Sequence, residues 1–136
     1  MPADLVLDLS ATTSGLRECL DRIEQSCAGR NIPRAMVARL RVVVEELYSN
    51  TIKHGYGGES QKPVRLLLRS APRIELVYED AAPPFDPTAW RPPAGAGTAP
   101  QQGGIGQKGI ALVLGLAASA RYERLPNGNR VTLGFA

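Results

Sequence analysis

The chain has 136 residues, 43% of them hydrophobic, and a net charge of +3. This length predicts one domain, residues 1–136, whose core needs no disulfide or structural metal. Lysine and arginine are scattered rather than clustered, so we expect no direct nucleic-acid partner. No apolar stretch approaches the roughly 20 residues that span a bilayer, and the first residues do not follow a signal-peptide pattern. We therefore expect a cytoplasmic protein without membrane contact.

The hydrophobic pattern predicts nine segments. In chain order they are a strand at 5–9, a helix from caps at 12–14 to about 29, a helix at 33–55, strands at 64–71 and 74–78, an irregular segment at 81–106, a helix at 110–118, and strands at 122–125 and 131–135. Pro33 suits a first helical position, and apolar residues recur after it at intervals of three and four. The order, with strands grouped beside helices, predicts an α+β fold: a two-layer sandwich of a mostly antiparallel sheet with helices on one face.

Two connections carry their own signals. Residues 81–106 contain most of the proline and glycine and show no periodicity, which is typical of a functional or mobile connection, and we interpret them as a lid. Asn127-Gly128 lies between the last two strands and is typical of a type I′ hairpin turn.

Glu46 and Asn50 lie four residues apart on the second predicted helix, so their side chains share one face, which Lys53 and His54 continue. An amide oxygen can ligate Mg²⁺, and a carboxylate one turn away can orient or deprotonate an attacking hydroxyl. The alternative is a solvated polar stripe. Glu45 is the weaker candidate, because it lies about 100° around the helix from Glu46.

Asp80 ends a predicted strand and faces whatever the lid covers. A carboxylate there is a good acceptor for an exocyclic amino group such as that of adenine, although it can also simply cap a turn. Phe85, between prolines, can form a wall of the same pocket or belong to the core.

The glycines Gly103, Gly104 and Gly106, with Ile105 between them, precede an apolar helix. Backbone N–H groups at a helix start can hold phosphate, and Lys108 can add a positive charge. A flexible linker explains a glycine cluster equally well. The pattern is neither a Walker A loop nor a dinucleotide fingerprint.

Together these three segments resemble, in order, the boxes of the histidine-kinase-like (GHKL, Bergerat-fold) ATPases, and most closely the anti-sigma-factor serine/threonine kinases. The first box is residues 46–56, the second 80–87 and the third 103–106. The resemblance extends over nearly the whole chain, to a closing strand at 128–133.

The resemblance implies roles for individual residues. Glu46 would be the general base, Asn50 the Mg²⁺ ligand, and Asp80 the reader of the adenine amino group, while Thr132 would lie near adenine. The full set expected to bind ATP is Asn50, Lys53, His54, Asp80, Ala82, Phe85, Gly103, Gly104, Ile105, Gly106, Lys108 and Thr132.

The resemblance further implies a protein kinase that uses ATP and Mg²⁺. Such a kinase would phosphorylate an anti-sigma-factor antagonist of the STAS type, sequester a sigma factor and form a homodimer. The alternative is a degenerate, non-catalytic module that binds a partner with or without nucleotide. It is favoured by Ala82, where the family has glycine, and by residues 107–109, which replace the family's Leu-x-Leu.

Overall fold

The computed structural model describes residues 3–89 and 104–136, with side chains for all of these except 104–108. Its helices and strands are β1 (Leu5–Ser10), α1 (Thr13–Ala28), α2 (Arg34–Asn50), a π-helix (Thr51–Gly55), β2 (Pro63–Arg69), β3 (Ile74–Asp80), a 3₁₀-helix (Pro87–Ala89), α3 (Gly104–Leu116), β4 (Ser119–Leu125) and β5 (Gly128–Phe135). Within these ranges no helix is long and apolar enough to cross a membrane.

The strands form one sheet in the order β1-β2-β3-β5-β4, and every neighbouring pair is antiparallel. Alternate residues of the strands point to one face, where they pack with the buried residues of all three α-helices in a single core. Tyr48 of α2 and Tyr78 of β3 meet edge to face in this core, with ring centroids 6.3 Å apart. The expected α+β sandwich is confirmed.

The other face of the sheet, which we call the outer face, carries a cross-strand row of alternating charges. The row runs through Asp8, Arg65, Glu79, Arg130 and Glu123, which lie opposite one another in register. Arg130 Nε lies 2.7 Å from Glu79 Oε2, and Arg130 Nη1 lies 3.5 Å from Glu123 Oε1. Because opposite charges pair across neighbouring strands, the outer face stays solvated without repulsion.

Several predicted boundaries are wrong in instructive ways. Pro33 is the N-cap of α2 rather than its first residue. The helical run ends at Gly55 as predicted, but it changes from an α-helix to a π-helix at Thr51. Helix α3 begins at Gly104, earlier than expected, because the glycines join its first turn. The segment 81–106 is not wholly irregular, since it contains a 3₁₀ turn at Pro87–Ala89 and the start of α3; residues 90–103 lie outside the described part.

The last hairpin forms, but the type I′ turn is wrong. Leu125 pairs with Gly128, so Pro126 and Asn127 are the two loop residues. A type I′ turn needs a positive φ at both, whereas proline has a fixed negative φ, and neither residue is among those with positive φ. Gly128 serves a different purpose: a Cβ there would collide with the carbonyl oxygen of Asp80.

Candidate functional site

A small cavity lies where the C-terminal end of α2 meets the end of β3 and the start of β5. It encloses about 20 Å³ and is lined by Leu47, Asn50, Thr51, Tyr78, Asp80, Phe85, Pro87, Asn129 and Val131. Three residues expected from the sequence, Asn50, Asp80 and Phe85, are therefore brought to one place. The described side chains enclose less space than the several hundred Å³ typical of a ligand pocket.

Asp80 is held by hydrogen bonds to both of its carboxylate oxygens. Oδ2 accepts from the hydroxyl of Thr51 at 2.8 Å, while Oδ1 accepts from Asn129 Nδ2 at 2.9 Å and from the Ala82 amide at 3.2 Å. A carboxylate has about four acceptor positions, so these donors leave one on Oδ2 without a described partner. Asp80 is thus fixed in orientation and still able to accept a hydrogen bond.

Behind Asp80 lies a buried chain of hydroxyl groups. The Tyr78 hydroxyl lies 2.7 Å from Thr51 Oγ1, and the same Thr51 oxygen lies 3.1 Å from the Leu47 carbonyl. Burial raises the pKa of Tyr78 well above its usual value of 10, so its hydroxyl keeps its proton as a donor. Thr51 donates to Asp80 Oδ2, while the Tyr78 hydroxyl lies within hydrogen-bonding distance of both Thr51 Oγ1 and, at 3.3 Å, the Leu47 carbonyl.

Glu46 and Asn50 are half-buried one turn apart on α2, and neither forms a hydrogen bond or ion pair with a described residue. Glu45, in contrast, is engaged by Arg41 at 4.0 Å. Glu46 packs against α3: a Cβ at Gly109 would collide with its Oε2. Glycine at this position therefore lets α3 approach the acid, and the structure leaves Glu46 rather than Glu45 available for chemistry.

The helix that carries Asn50 continues through Lys53 and His54 as a π-helix. The Thr51 carbonyl accepts from the amide of Tyr56, five residues on, at 2.8 Å. Lys53 and His54 are exposed and have no partner among the described residues. Thr51, which no sequence motif marked, lies where α2 meets the π-helix, and its hydroxyl donates to Asp80.

Phe85 and Ala82 lie on opposite sides of the second box. Phe85 is 44% exposed and lines the cavity, so it does not belong to the core. Ala82 is buried but does not line the cavity; its methyl group packs toward Gly55, where an added Cβ would lie 3.0 Å away. The methyl group that replaces the family's glycine is thus turned away from the described cavity.

The glycine box is only partly described. Gly103 lies outside the described residues, as do the side chains of Ile105 and Lys108. The backbone of Gly104–Gly106 forms the first turn of α3, where the N–H groups have no intrahelical acceptor.

On β5 the structure brings Asn129, and not Thr132, to the site. Asn129 lies opposite Asp80 and shares its face, whereas Thr132 pairs with Val77 and, by strand alternation, points to the outer face. Asn129 was missed because the resemblance to the family's closing strand implied a threonine near adenine, and Thr132 was assigned that place. The strand period would have found it, since Asn129 shares parity with the core residues Val131 and Leu133.

Comparison with known proteins places this geometry in a family. Residues 9–135 match the model of the histidine kinase-like ATPase domain. The chain belongs to this family. The family expected from the three boxes is therefore confirmed, and this ATPase domain accounts for nearly the whole chain. No curated protein is similar enough in sequence to match it.

Among solved structures, this ATPase domain is similar to the crystal structure of the RsbU and RsbW domains of Rv1364c from Mycobacterium tuberculosis. The TM-score is 0.68 at 17% sequence identity, over 99% of this chain and 32% of that chain. At this identity the similarity shows the fold alone. The chain spans about a third of the length of that larger protein.

Proposed function

We propose that this ATPase domain binds ATP with Mg²⁺ and transfers the terminal phosphate to a serine or threonine of a small protein. The observation that carries the proposal is the pairing of two uncommitted acceptors: the amide of Asn50 and the open position on Asp80 line the same cavity. Glu46, one turn before Asn50, is also unpaired among the described residues.

The residues present suit the two ligands. An amide oxygen is the hard donor that Mg²⁺ accepts alongside phosphate oxygens, so Asn50 would hold the ion. Bound Mg²⁺ would neutralise charge on the phosphates. Asp80 would accept from the adenine amino group, Phe85 would contact the base, and the exposed Lys53 and His54 would face the phosphates together with residues 104–108.

Glu46 would act on the protein substrate. A carboxylate without a cationic partner can accept the proton of an attacking hydroxyl, and its contact with α3 at Gly109 holds it near the helix that begins with the glycine box. We expect a variant that lacks this carboxylate to bind nucleotide but not to transfer phosphate.

The fold supports a partner of one particular kind. This domain shares its fold with the structure of the RsbU and RsbW domains of Rv1364c, and its boxes resemble those of the anti-sigma-factor kinases. We therefore propose a STAS-type anti-sigma-factor antagonist as the phosphorylated protein, a sigma factor as the sequestered one, and a cytoplasmic homodimer as the working form.

The first experiment is isothermal titration of the protein with ATP and Mg²⁺, beside an Asn50→Ala variant. Ser49→Ala is the matched control, because Ser49 is the preceding residue and does not line the cavity. We expect saturable, Mg²⁺-dependent binding that falls by at least about tenfold in Asn50→Ala and is unchanged in Ser49→Ala.

The kinase step is then measured with STAS-type antagonist domains by mass spectrometry. We expect phosphoserine or phosphothreonine with the native protein and none with Glu46→Gln, which should still bind ATP. A folded, nucleotide-loaded protein that phosphorylates no antagonist would refute the kinase proposal.

A non-catalytic partner-binding module is the second candidate. It is favoured by the small volume of the described cavity, about 20 Å³. Absence of any saturable nucleotide binding by the folded protein, combined with stable capture of a sigma factor or antagonist, would establish this candidate instead.

A further inference from the structure

Asn129 is the most heavily bonded side chain near the cavity. It is only 6% exposed, and its Nδ2 lies 2.9 Å from Asp80 Oδ1, 3.0 Å from the Pro83 carbonyl and 3.2 Å from the Ala82 carbonyl. One amide group on β5 therefore holds both the carboxylate at the end of β3 and the backbone that follows it.

The acceptor side of the same amide is also engaged. Asn129 Oδ1 lies 3.1 Å from the Phe85 amide, 2.6 Å from the Tyr122 hydroxyl and 3.4 Å from Arg124 Nη1. If the amide were flipped, its N–H groups would face the donors of Phe85 and Tyr122, and its oxygen would face the Asp80 carboxylate and the backbone carbonyls. The network therefore permits one orientation. Asn129 must present its N–H groups to Asp80.

The donors around Asp80 determine what a ligand can offer it. Thr51, Asn129 and the Ala82 amide all donate to its two oxygens. The open position on Asp80 Oδ2 is therefore strictly an acceptor. A carbonyl oxygen placed there would face a carboxylate, whereas an amino group would complete its coordination.

We propose that Asn129 is a positioning residue that sets base selectivity: by fixing Asp80 and residues 82–85, it makes the site accept a purine with a 6-amino group and reject one with a 6-oxo group. The proposal rests on the nucleotide binding proposed above. The residue of β5 that acts at the adenine site is then Asn129 and not Thr132.

The test compares the affinities for ATP and ITP, which differ at the purine 6-position and the adjoining ring nitrogen. The wild-type protein should prefer ATP by about tenfold or more, since one matched hydrogen bond replaces one repulsive contact. In Asn129→Asp the preference should fall to about threefold or less, because the second carboxylate repels Asp80 and the Pro83 carbonyl loses its donor.

Asn129→Ser is a second variant in case Asn129→Asp does not fold, since serine keeps one donor but cannot span from Asp80 to residue 83. Arg130→Gln, the next residue on the outer face, is the matched control and should keep the native preference. Thermal unfolding without nucleotide shows separately whether each variant is folded.

The outcomes separate this inference from the proposal beneath it. If the folded wild-type protein binds neither triphosphate, both fail. If it binds ATP and ITP equally, or if both folded Asn129 variants keep the native preference, the role of Asn129 is refuted while nucleotide binding stands. A loss of preference confined to the Asn129 variants confirms it.

Discussion

Two neighbouring residue pairs on β3 and β5 share a backbone frame but occupy opposite faces of the sheet, one as a carboxylate–amide hydrogen bond and the other as an ion pair. Asp80 lies opposite Asn129 on the helix face, and Glu79 lies opposite Arg130 on the outer face. The direct contacts are similar in length, 2.9 Å for the inner pair and 2.7 Å for the outer pair. Distance alone would rank the outer pair as the stronger.

The surroundings reverse that ranking. Arg130 is 36% exposed and Glu79 18%, and exposed ion pairs contribute about 0–1 kcal/mol. Asn129 is buried, and each buried polar group left unpaired costs about 1–3 kcal/mol. We infer that the pair Asp80–Asn129 organises the site, while the pair Glu79–Arg130 mainly keeps the outer face of the sheet solvated.

The largest effect is expected from removing the amide of the inner pair. Asn129→Leu is close in size but takes one donor from Asp80, leaves the Pro83 carbonyl without its donor and leaves the Phe85 amide without its acceptor. We expect the free energy of unfolding to fall by about 3 kcal/mol or more. Urea denaturation measures this change, and a loss below about 1 kcal/mol would contradict the comparison.

A smaller effect is expected one step deeper in the same network. Thr51→Val keeps the shape of the side chain but removes the hydroxyl that links Tyr78 to Asp80. We expect a loss of about 1–3 kcal/mol of unfolding free energy, with weaker nucleotide binding because Asp80 is no longer fixed. Ser49→Ala, on the same helix end, should change neither quantity.

Alkaline pH should reduce the folding stability that buried Tyr78 contributes on the helix face of the sheet. The folded pKa of Tyr78 is raised well above 10 by burial, so above pH 10 the unfolded chain loses this proton while the folded chain retains it. Stability due to Tyr78 is therefore present below pH 10 and declines as pH rises toward the folded pKa. Denaturation midpoints between pH 9 and 11 should show a shallower decline in Tyr78→Phe than in the wild type.

The smallest effect is expected on the outer face. Arg130→Gln removes the ion pairs to Glu79 and Glu123, and we expect a change within about 1 kcal/mol. That change should shrink further at 1 M salt, because exposed charges are screened. A loss as large as that of Asn129→Leu would show that the two faces are energetically alike.

Much of this architecture could be predicted from the sequence. The apolar periodicity gave α2 and the strands, and the ordered boxes brought Asn50, Asp80 and Phe85 to one cavity. These succeeded because the helical period of 3.6 and the strand period of 2 are local properties.

The parts that failed depend on contacts between distant segments. The type I′ turn after Leu125 was predicted wrongly because Gly128 is required by a contact with another strand, where a Cβ would collide with the Asp80 carbonyl. The strand period places Asn129 on the helix face, but its role was missed because its partners, such as Asp80 and Phe85, lie more than 40 positions earlier in the chain. The role of Thr51 depends likewise on distant partners, since its hydroxyl contacts Tyr78 and Asp80 on β3.

That change of helix type has a consequence for how the chain tolerates insertions and deletions. A π-helical hydrogen bond spans five residues instead of the four of an α-helix. Thr51–Gly55 therefore corresponds to the end of an α-helix with one residue inserted. Deleting a single residue between 52 and 55 would restore an ordinary α-helix without disturbing Glu46 or Asn50. It would also pull Tyr56 away from the Ala81 amide that its hydroxyl now accepts from, at 2.7 Å. The hydrogen bond between Tyr56 of the first box and Ala81 of the second therefore depends on the length of this short segment.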